Sequence, residues 1–301
     1  MMDRKETGRG HLAMLGFSAL VAGSFSLGAI ASPFVDSGAL MALRFLIAAL
    51  VLGVVAILGP GLHLRNFRQP WRHLVLGGLM AAYFVLMFEG LKTASAVSTS
   101  AIFTLTPVMA AGFGWLAMRQ VTNSRMALAL AIGATGALWV IFRADLTALR
   151  AFHLGRGEVI YFIGCIAHAI YAALIPRFNR GESPIVMTFG LLVAGCVLLM
   201  AWSWPEIRAT DWAALPGIVW ITLIYIAVAA SAASFVLLQY AALRLPATKG
   251  MAYTYLTPTW VILWEIALGR GAPPPLILIG VALTALALLI LLMDDRPANS
   301  G

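Results

Sequence analysis

The sequence has very little charge for its length. Only 11% of its 301 residues are Asp, Glu, Lys or Arg, whereas an ordinary soluble domain carries about 25%. Apolar residues make up 61% of the chain, and its mean hydropathy is +0.93. A water-soluble protein of this size needs far more polar surface. The composition therefore excludes a soluble globular enzyme, a nucleic-acid-binding module and a disordered chain.

Cysteine and the common cofactor motifs are also scarce or missing. The two cysteines, Cys165 and Cys196, lie inside apolar stretches and have no metal-ligand spacing. The sequence contains no Walker A pattern, no HExxH and no Gly-x-Ser-x-Gly. We therefore expect no cofactor, no metal site, no catalytic residue and no direct use of ATP.

What the chain does have is apolar runs. A membrane-spanning helix needs roughly 20 apolar residues. Ten such stretches occur, near residues 12–31, 37–58, 72–91, 95–118, 124–142, 157–176, 184–204, 212–241, 247–268 and 275–293. The sequence therefore predicts an all-α membrane protein with ten transmembrane helices. The first stretch resembles a signal peptide, but it is longer than a usual signal core, which favours a retained span.

Basic residues in the connections predict the orientation. With the N-terminus inside, the inner segments hold 13 Lys and Arg residues and the outer segments hold six. The inner set is Arg4, Lys5, Arg9, Arg65, Arg68, Arg72, Arg119, Arg125, Arg177, Arg180, Arg244, Lys249 and Arg296. The outer set is Lys92, Arg143, Arg150, Arg156, Arg208 and Arg270. This bias predicts that both termini are cytoplasmic.

The two halves of the chain resemble each other. Several identical residues recur at a constant offset of 151 positions. The pairs are Phe84-Val85-Leu86 with Phe235-Val236-Leu237, Leu105-Thr106-Pro107 with Leu256-Thr257-Pro258, and Ala96, Ala101 and Arg119 with Ala247, Ala252 and Arg270. The shared register predicts two repeats, residues 1–150 and 151–301.

Each predicted repeat holds five spans. Because five is odd, the second copy must enter the membrane from the opposite side. Inverted repeats of this kind are common in secondary transporters, where the substrate site lies near the middle of the membrane between the copies.

The ten spans in two halves, the arginine Arg44 early in the second span, and Leu-Thr-Pro in the fourth and ninth spans resemble the drug/metabolite transporter superfamily, in its EamA-type branch. This resemblance implies an inner-membrane permease, often an exporter of amino acids, metabolites or toxic compounds, with a central cavity lined by spans 1, 3, 4, 6, 8 and 9. Members usually carry a glutamate twelve residues after each Leu-Thr-Pro proline. Here those positions are Arg119 and Arg270.

Ionisable residues inside spans are costly in hydrocarbon, so they usually face a cavity or a partner. Glu89 and Lys92 are three residues apart near the end of span 3 and are expected to share a helix face. They form either an ion pair at the membrane edge or part of the cavity. Glu265 is either a structural partner of a basic group or a functional carboxylate. Either glutamate is a candidate proton carrier, if transport is proton-coupled.

Arg44 and His168 are the other charged or titratable candidates. The Arg44 guanidinium can bind a substrate carboxylate, or it can tie two helices together. His168 lies mid-span with Cys165 and Tyr171 at helical spacing. It either packs through a hydrogen bond or contacts the substrate.

The repeated prolines are predicted to break two helices. A proline inside a helix frees a backbone carbonyl, and Pro107 and Pro258 occupy matching positions, beside Thr106 and Thr257. Matching breaks in both halves indicate a binding site in transporter folds, although a harmless kink is the alternative.

One face of span 9 is aromatic. Tyr253, Thr257, Trp260 and Trp264 form a stripe at helical spacing. The stripe serves packing or, if it faces the cavity, an apolar or aromatic part of the substrate, to which Tyr83 in span 3 can contribute. A zwitterion or a small aromatic amphiphile is the expected solute.

Ala129, Gly133 and Ala137 recur every four residues in span 5, a spacing that lets helices approach closely. They pack the two halves together or support a homodimer. The sequence as a whole favours a secondary or facilitative carrier of small organic solutes, with export favoured. An intramembrane enzyme and a passive channel are the alternatives.

Overall fold

The computed structural model describes residues 4–63, 67–119, 123–142, 144–145, 147 and 154–293, and within these ranges it is entirely helical. Arg65, Arg143, Arg150 and Arg296, which contributed to the predicted charge bias, lie outside the described residues, as does the predicted boundary between the halves. The helices of the first half are α1 (Arg4–Ala31), α2 (Ser37–Leu58), α3 (Pro70–Leu91), α4 (Ala96–Phe103), α5 (Thr106–Met118) and α6 (Ser124–Ile141).

The second half is more interrupted. Its helices are α7 (Arg156–Phe178), α8 (Pro184–Trp202), α9 (Trp204–Ala209), α10 (Gly217–Ala227), α11 (Ser234–Ala242), α12 (Ala247–Met251), α13 (Thr257–Ala267) and α14 (Ile277–Leu292). A π-helical turn, Val228–Ala233, joins α10 to α11, and a 3-10 turn, Ala252–Leu256, joins α12 to α13.

Eight helical stretches of the described residues are long and apolar enough to cross a membrane, and they match the first eight predicted spans. Span 4 consists of α4 and α5, and span 8 of α10, the π turn and α11. The predicted ninth span is broken into α12, a 3-10 turn and α13, and the shorter apolar helix α14 stands at the tenth. This arrangement is a multi-pass membrane protein and is consistent with ten spans.

Local sequence explains where several helices begin. The side chains of Asp36, Ser95, Asn123 and Ser183 each accept a hydrogen bond from the amide three residues further on, at the starts of α2, α4, α6 and α8. Such caps satisfy amides that have no partner inside the helix. Helix α10 begins at Gly217, directly after Pro216.

The packing of the spans occurs in matched pairs. Span 3 packs along span 6, and the equivalent spans of the other half, 8 and 1, pack along each other. Span 4 contacts span 6 as span 9 contacts span 1. Span 2 packs on span 7 and span 5 on span 10, which are pairs of equivalent spans. This pattern is consistent with the predicted repeat.

Small residues allow the closest of these approaches. A Cβ atom added to Gly136 of span 5 would lie 2.6 Å from the carbonyl oxygen of Gly280 in span 10. Ala129, Gly133 and Ala137 are buried in the same span, with the ring of Tyr255 against Gly133. The small-residue stripe is therefore used inside this chain, between its two halves, and is not free to hold a second copy.

The outward faces of the spans are apolar. Leu50, Ile57, Ile221 and Leu289 all expose more than half of their surface. In a soluble protein such exposure would promote aggregation, whereas in a bilayer these side chains contact lipid. By contrast, several polar side chains of the spans are buried, among them Arg44, Thr106, His168 and Gln239.

Candidate functional site in the helical bundle

Arg44 is a charged side chain in the interior, and it joins the two halves. It lies in span 2 and is fully buried. Its Nε donates to the hydroxyl of Ser231 at 2.6 Å, and its Nη2 donates to the carbonyl of Ala230 at 2.9 Å. Both partners belong to the π-helical turn of span 8. Such turns are frequent at functional sites. The guanidinium also lies over the ring of Phe84, 3.5 Å from its centroid.

A group of rings surrounds His168 in span 6. We call Phe17, Tyr83, Phe103, Tyr161, His168 and Tyr171 the aromatic cluster. The ring of His168 lies 4.6 Å from that of Tyr83 and 5.2 Å from that of Phe103, centroid to centroid. The hydroxyls of Tyr83 and Tyr161 are hydrogen-bonded at 2.9 Å. His168 Nδ1 is buried with no hydrogen-bond partner among the described residues.

The aromatic cluster is continuous with Arg44. The Arg44 guanidinium lies over the ring of Phe84, and this ring lies 4.6 Å from that of Tyr83, centroid to centroid. At the other end, Gln239 of span 8 donates to the hydroxyl of Tyr171 at 3.1 Å. The structure thus brings together four predicted site residues, Arg44, Tyr83, His168 and Tyr171, from spans 2, 3 and 6.

The two prolines occupy broken helices, with a geometry that differs from the prediction in one respect. Pro107 and Pro258 do not kink a continuous helix, because each stands at the second position of a new helix, α5 or α13. The carbonyl that Pro107 leaves free is that of Phe103, and the hydroxyl of Thr106 donates to it at 2.5 Å. The Thr257 hydroxyl is buried without a partner among the described residues.

The aromatic stripe of span 9 packs on spans 1 and 8. Trp260 donates through Nε1 to the Ser18 hydroxyl at 3.3 Å, and the ring of Trp264 meets that of Tyr225 edge-on at 5.5 Å. Tyr253 lies 5.9 Å from the ring of His11. These contacts favour the packing interpretation of the stripe, although Ser18 directly follows Phe17 of the aromatic cluster.

The two predicted proton-carrying glutamates lie near helix ends. Glu89 Oε2 is 2.6 Å from Lys92 Nζ and also accepts from the Ser37 hydroxyl at 3.1 Å. Glu265 Oε2 is 3.4 Å from Arg270 Nε, while its other oxygen is buried without a partner among the described residues. Each glutamate therefore has the basic partner that the structural alternative required.

Two further ion pairs join the halves at a single end of the bundle. Arg244 Nε, at the end of span 8, is 2.8 Å from Glu6 Oε2 at the start of span 1. Arg72 Nη2, at the start of span 3, is 2.7 Å from Glu182 Oε1 in the connection before span 7. At the opposite end, the pairs of Glu89 and Glu265 are with neighbours in sequence. The N-terminal end of the bundle is therefore tied across the halves.

Burial and hydrogen bonding act in opposite directions on Glu182. Burial raises the pKa of its carboxyl group, but hydrogen bonds from Arg72 and from the Arg180 amide lower that pKa by more. The net pKa lies below the ordinary value of 4.5, so this group is ionised at neutral pH.

Sequence reasoning missed six parts of the site: Phe17, Phe84, Phe103, Tyr161, Ser231 and Gln239. Tyr161 precedes Cys165 by four residues and His168 by seven, so extending the helical spacing around His168 would have found it. Ser231 and Gln239 are two of the few polar residues of span 8, which also contains Thr222 and Ser234. Nothing in the sequence signals the π turn that brings Ser231 to Arg44.

Comparison with known proteins identifies the family. The model of the EamA-like transporter family matches residues 8–142 and 155–293, so the chain belongs to this family. It is 23% identical over 261 residues to a protein named "Uncharacterized transporter YyaM" from Bacillus subtilis (strain 168), covering 86% of each chain. A solved crystal structure with 21% sequence identity shares the fold, with a TM-score of 0.71 over 95% of this chain and 96% of the other.

Family membership makes this protein a membrane transporter. It implies a small-molecule substrate and a lipid environment. The family and the named relative are both described as transporters, which agrees with the transporter interpretation of the sequence.

Proposed function

We propose that this protein is a secondary transporter that moves a small organic solute across the bacterial inner membrane by alternating access. Its moving parts are two inverted five-span halves, residues 1–150 and 151–301. The observation that carries the proposal is that the site residues meet across these halves: Arg44 of the first contacts Ser231 of the second, and Tyr83 contacts Tyr161. A substrate between inverted halves is exposed to alternate sides when one half rocks against the other.

The distribution of ion pairs supports a conformation of the transporter that is closed at one end. The pairs Glu6–Arg244 and Arg72–Glu182 hold the halves together at the N-terminal end. At the other end the corresponding pairs lie within one segment. We propose that the N-terminal end is cytoplasmic, as the distribution of basic residues favours, and that this structure is closed on the cytoplasmic side. The export direction rests on the family resemblance.

Of the two glutamates, Glu265 is the better candidate for proton coupling. The carboxylate of Glu89 has a short ion pair to Lys92 and a hydroxyl donor in Ser37. Glu265 is 3.4 Å from a half-exposed arginine and keeps one buried oxygen unpartnered. Glu265 thus has fewer stabilising partners than Glu89 among the described residues, and we propose it as the proton carrier.

Counterflow in liposomes tests the carrier mechanism. Purified protein is reconstituted with an unlabelled solute inside and the same labelled solute outside, using a panel of organic acids, amino acids and amines. A carrier accumulates label transiently above its equilibrium level. Dissipative entry without an overshoot indicates a channel, and chemical conversion of the solute indicates an enzyme.

An imposed pH gradient on the same liposomes tests the coupling. We expect the gradient to drive wild-type uptake of the transported solute, and expect Glu265→Gln to abolish that response while counterflow persists, because exchange does not require net proton movement. Glu89→Gln is the matched control and keeps the response. Equal gradient dependence in wild type and Glu265→Gln would exclude Glu265 as the carrier of the proton.

A further inference from the structure

Arg44 is a buried positive charge that has no balancing negative charge among the described residues. Its side chain has no exposure to solvent. No carboxylate lies within ion-pair distance of its guanidinium in the part of the chain that the structure describes, where every ion pair involves another basic residue. Burying an unpaired charge is strongly unfavourable. Proteins that keep such a group usually need it for function.

The described carboxylates are all far from the middle of the spans in sequence. Each stands in a connection, at a helix cap or within five residues of the end of a helical segment. They are Glu6, Asp36, Glu89, Asp145, Glu158, Glu182, Glu206, Asp211 and Glu265. The interior around Arg44 therefore offers a fixed cation, whereas the described residues offer no comparable fixed anion for an ammonium group.

The present partners of Arg44 are neutral and replaceable. They are a serine hydroxyl, a backbone carbonyl and the sulfur of Met41, which lies 3.7 Å from Nη1. A guanidinium binds a carboxylate through two parallel hydrogen bonds, and such charge-assisted bonds are about twice as strong as neutral ones. Moreover, Ser231 and Ala230 belong to the opposite half of the chain, so a rocking motion that separates the halves would release the donors of Arg44.

We propose that the transported solute is an organic carboxylate with a flat apolar body. Its carboxylate binds Nε and Nη2 of Arg44 in place of the Ser231 hydroxyl and the Ala230 carbonyl, and its body packs on the aromatic cluster, which Phe84 joins to the guanidinium. Net negative solutes are favoured over amines, and plain carboxylates over zwitterions, because no acidic partner for an ammonium group stands beside this site among the residues that the structure describes. The inference rests on the proposed transport function and specifies its substrate class.

A matched set of ligands separates charge from shape. The probes are 3-phenylpropionate, its neutral amide, phenylalanine and phenethylamine, together with indole-3-acetate and its amide. Binding is measured by titration calorimetry on protein in lipid nanodiscs. We expect at least one of the two carboxylates to bind about tenfold more tightly than its amide, which corresponds to ~1.4 kcal/mol, and expect the amine to bind most weakly.

Variants identify the residue responsible. Arg44→Gln should abolish the preference for the carboxylate over the amide, and Arg44→Lys, which keeps the charge without the planar fork, should retain part of it. Ser231→Ala leaves the guanidinium intact and removes a competing partner, so it should tighten carboxylate binding about threefold, in the range of one neutral hydrogen bond. Arg125→Gln, an exposed arginine at the start of α6, is the matched control and should bind like wild type.

The outcomes distinguish a failure of the substrate assignment from a failure of the proposed transport function. Equal affinity for carboxylates and amides, or a carboxylate preference that survives in well-folded Arg44→Gln, overturns the substrate assignment. Counterflow of amines but not of carboxylates overturns it as well, while leaving the carrier mechanism intact. Arg44-dependent carboxylate binding without counterflow of any solute supports the site and contradicts the proposed transport.

Discussion

Two buried arginines, Arg44 and Arg72, differ in what balances their charge. Arg72 is paired with Glu182, and the two side chains are only 3% and 5% exposed. Arg44 has neutral partners alone among the described residues. A satisfied buried pair loses stability when one member is removed, because the other charge is left behind. A buried positive charge that lacks a carboxylate partner is instead stabilised when an anion binds beside it. Arg72 therefore belongs to the contacts that hold the N-terminal end together, and Arg44 is the residue that we propose binds the substrate.

Removing one charge of the Arg72 pair should destabilise the protein. Glu182→Gln leaves the Arg72 guanidinium buried without its carboxylate, and we expect a loss of about 3 kcal/mol. Thermal unfolding in detergent at pH 7 measures the effect as a fall in Tm. Glu206→Gln, at an exposed glutamate of α9, is the matched control and should leave Tm unchanged.

The difference in Tm between wild type and Glu182→Gln is also expected to depend on pH. Since the pKa of Glu182 is lower in the folded protein than its ordinary value of 4.5, its ionisation stabilises the fold above that pH. This contribution is lost as the pH falls through 4.5 toward the lower folded value. The Tm difference between wild type and Glu182→Gln should therefore shrink below pH 4.5. A difference that stays constant down to pH 3.5 would contradict this assignment.

At the scale of helices, close backbone contact holds spans 5 and 10 together, while breaks in spans 4, 8 and 9 shape the site. Gly136 and Gly280 each present a carbonyl where the other would carry a Cβ atom. The broken spans instead place unusual backbone beside polar side chains, as at Ala230 and Arg44. The close glycine contact and the irregular turns thus lie in different spans. The turns can therefore place polar groups in the interior without disturbing the packing of spans 5 and 10.

A pair of identical substitutions tests the importance of this contact. Gly136→Ala and Gly112→Ala make the same change inside helices α6 and α5, but a Cβ atom at Gly112 meets no atom within 4 Å. We expect Gly136→Ala to cost about 1–3 kcal/mol through overpacking. Gly112→Ala should gain up to ~1 kcal/mol from helix propensity. Tm values in detergent measure both, and a similar shift in the two variants would mean that spans 5 and 10 separate easily.

On the scale of the whole molecule, the packing of equivalent spans is the feature that rocking requires. Span 3 meets span 6 as span 8 meets span 1, and both contacts cross between the halves. In an inverted arrangement, each of these two contacts would take the geometry of the other when the protein opens to the other side of the membrane. The ion pairs at the N-terminal end are an asymmetry between the two ends of the bundle, and we propose that they mark the closed side.

Cysteine labelling in intact cells tests the inverted arrangement. Pro60 and Ala209 are exposed residues in equivalent connections of the two halves, after spans 2 and 7. Inversion predicts that a membrane-impermeant maleimide labels Ala209→Cys in intact cells, but Pro60→Cys only after permeabilisation. The native Cys165 and Cys196 are buried and give a low background. Labelling of both introduced cysteines from the same side would refute inversion, and with it the carrier mechanism.

The sequence by itself determined the class of the molecule and the location of its spans. Apolar runs of about 20 residues have no stable alternative to helices in a bilayer, because every backbone polar group must be satisfied within the segment. The positions of Arg44, His168 and the paired prolines could be identified for a similar reason, since polar groups and helix breaks are conspicuous in apolar helices.

Only the tertiary structure decided which of these residues meet and what they contact. Helical spacing orders residues along a single face, but it carries no information on which span lies opposite that face. The π turn that brings Ser231 to Arg44, the use of the small-residue stripe inside the chain, and the pairing of Glu89 and Glu265 with basic neighbours all depend on packing or local backbone geometry. The physical reason is that sequence patterns report whether a residue is buried, and residues of the core and of the site are both buried. The partner of each buried charge is instead fixed by the fold.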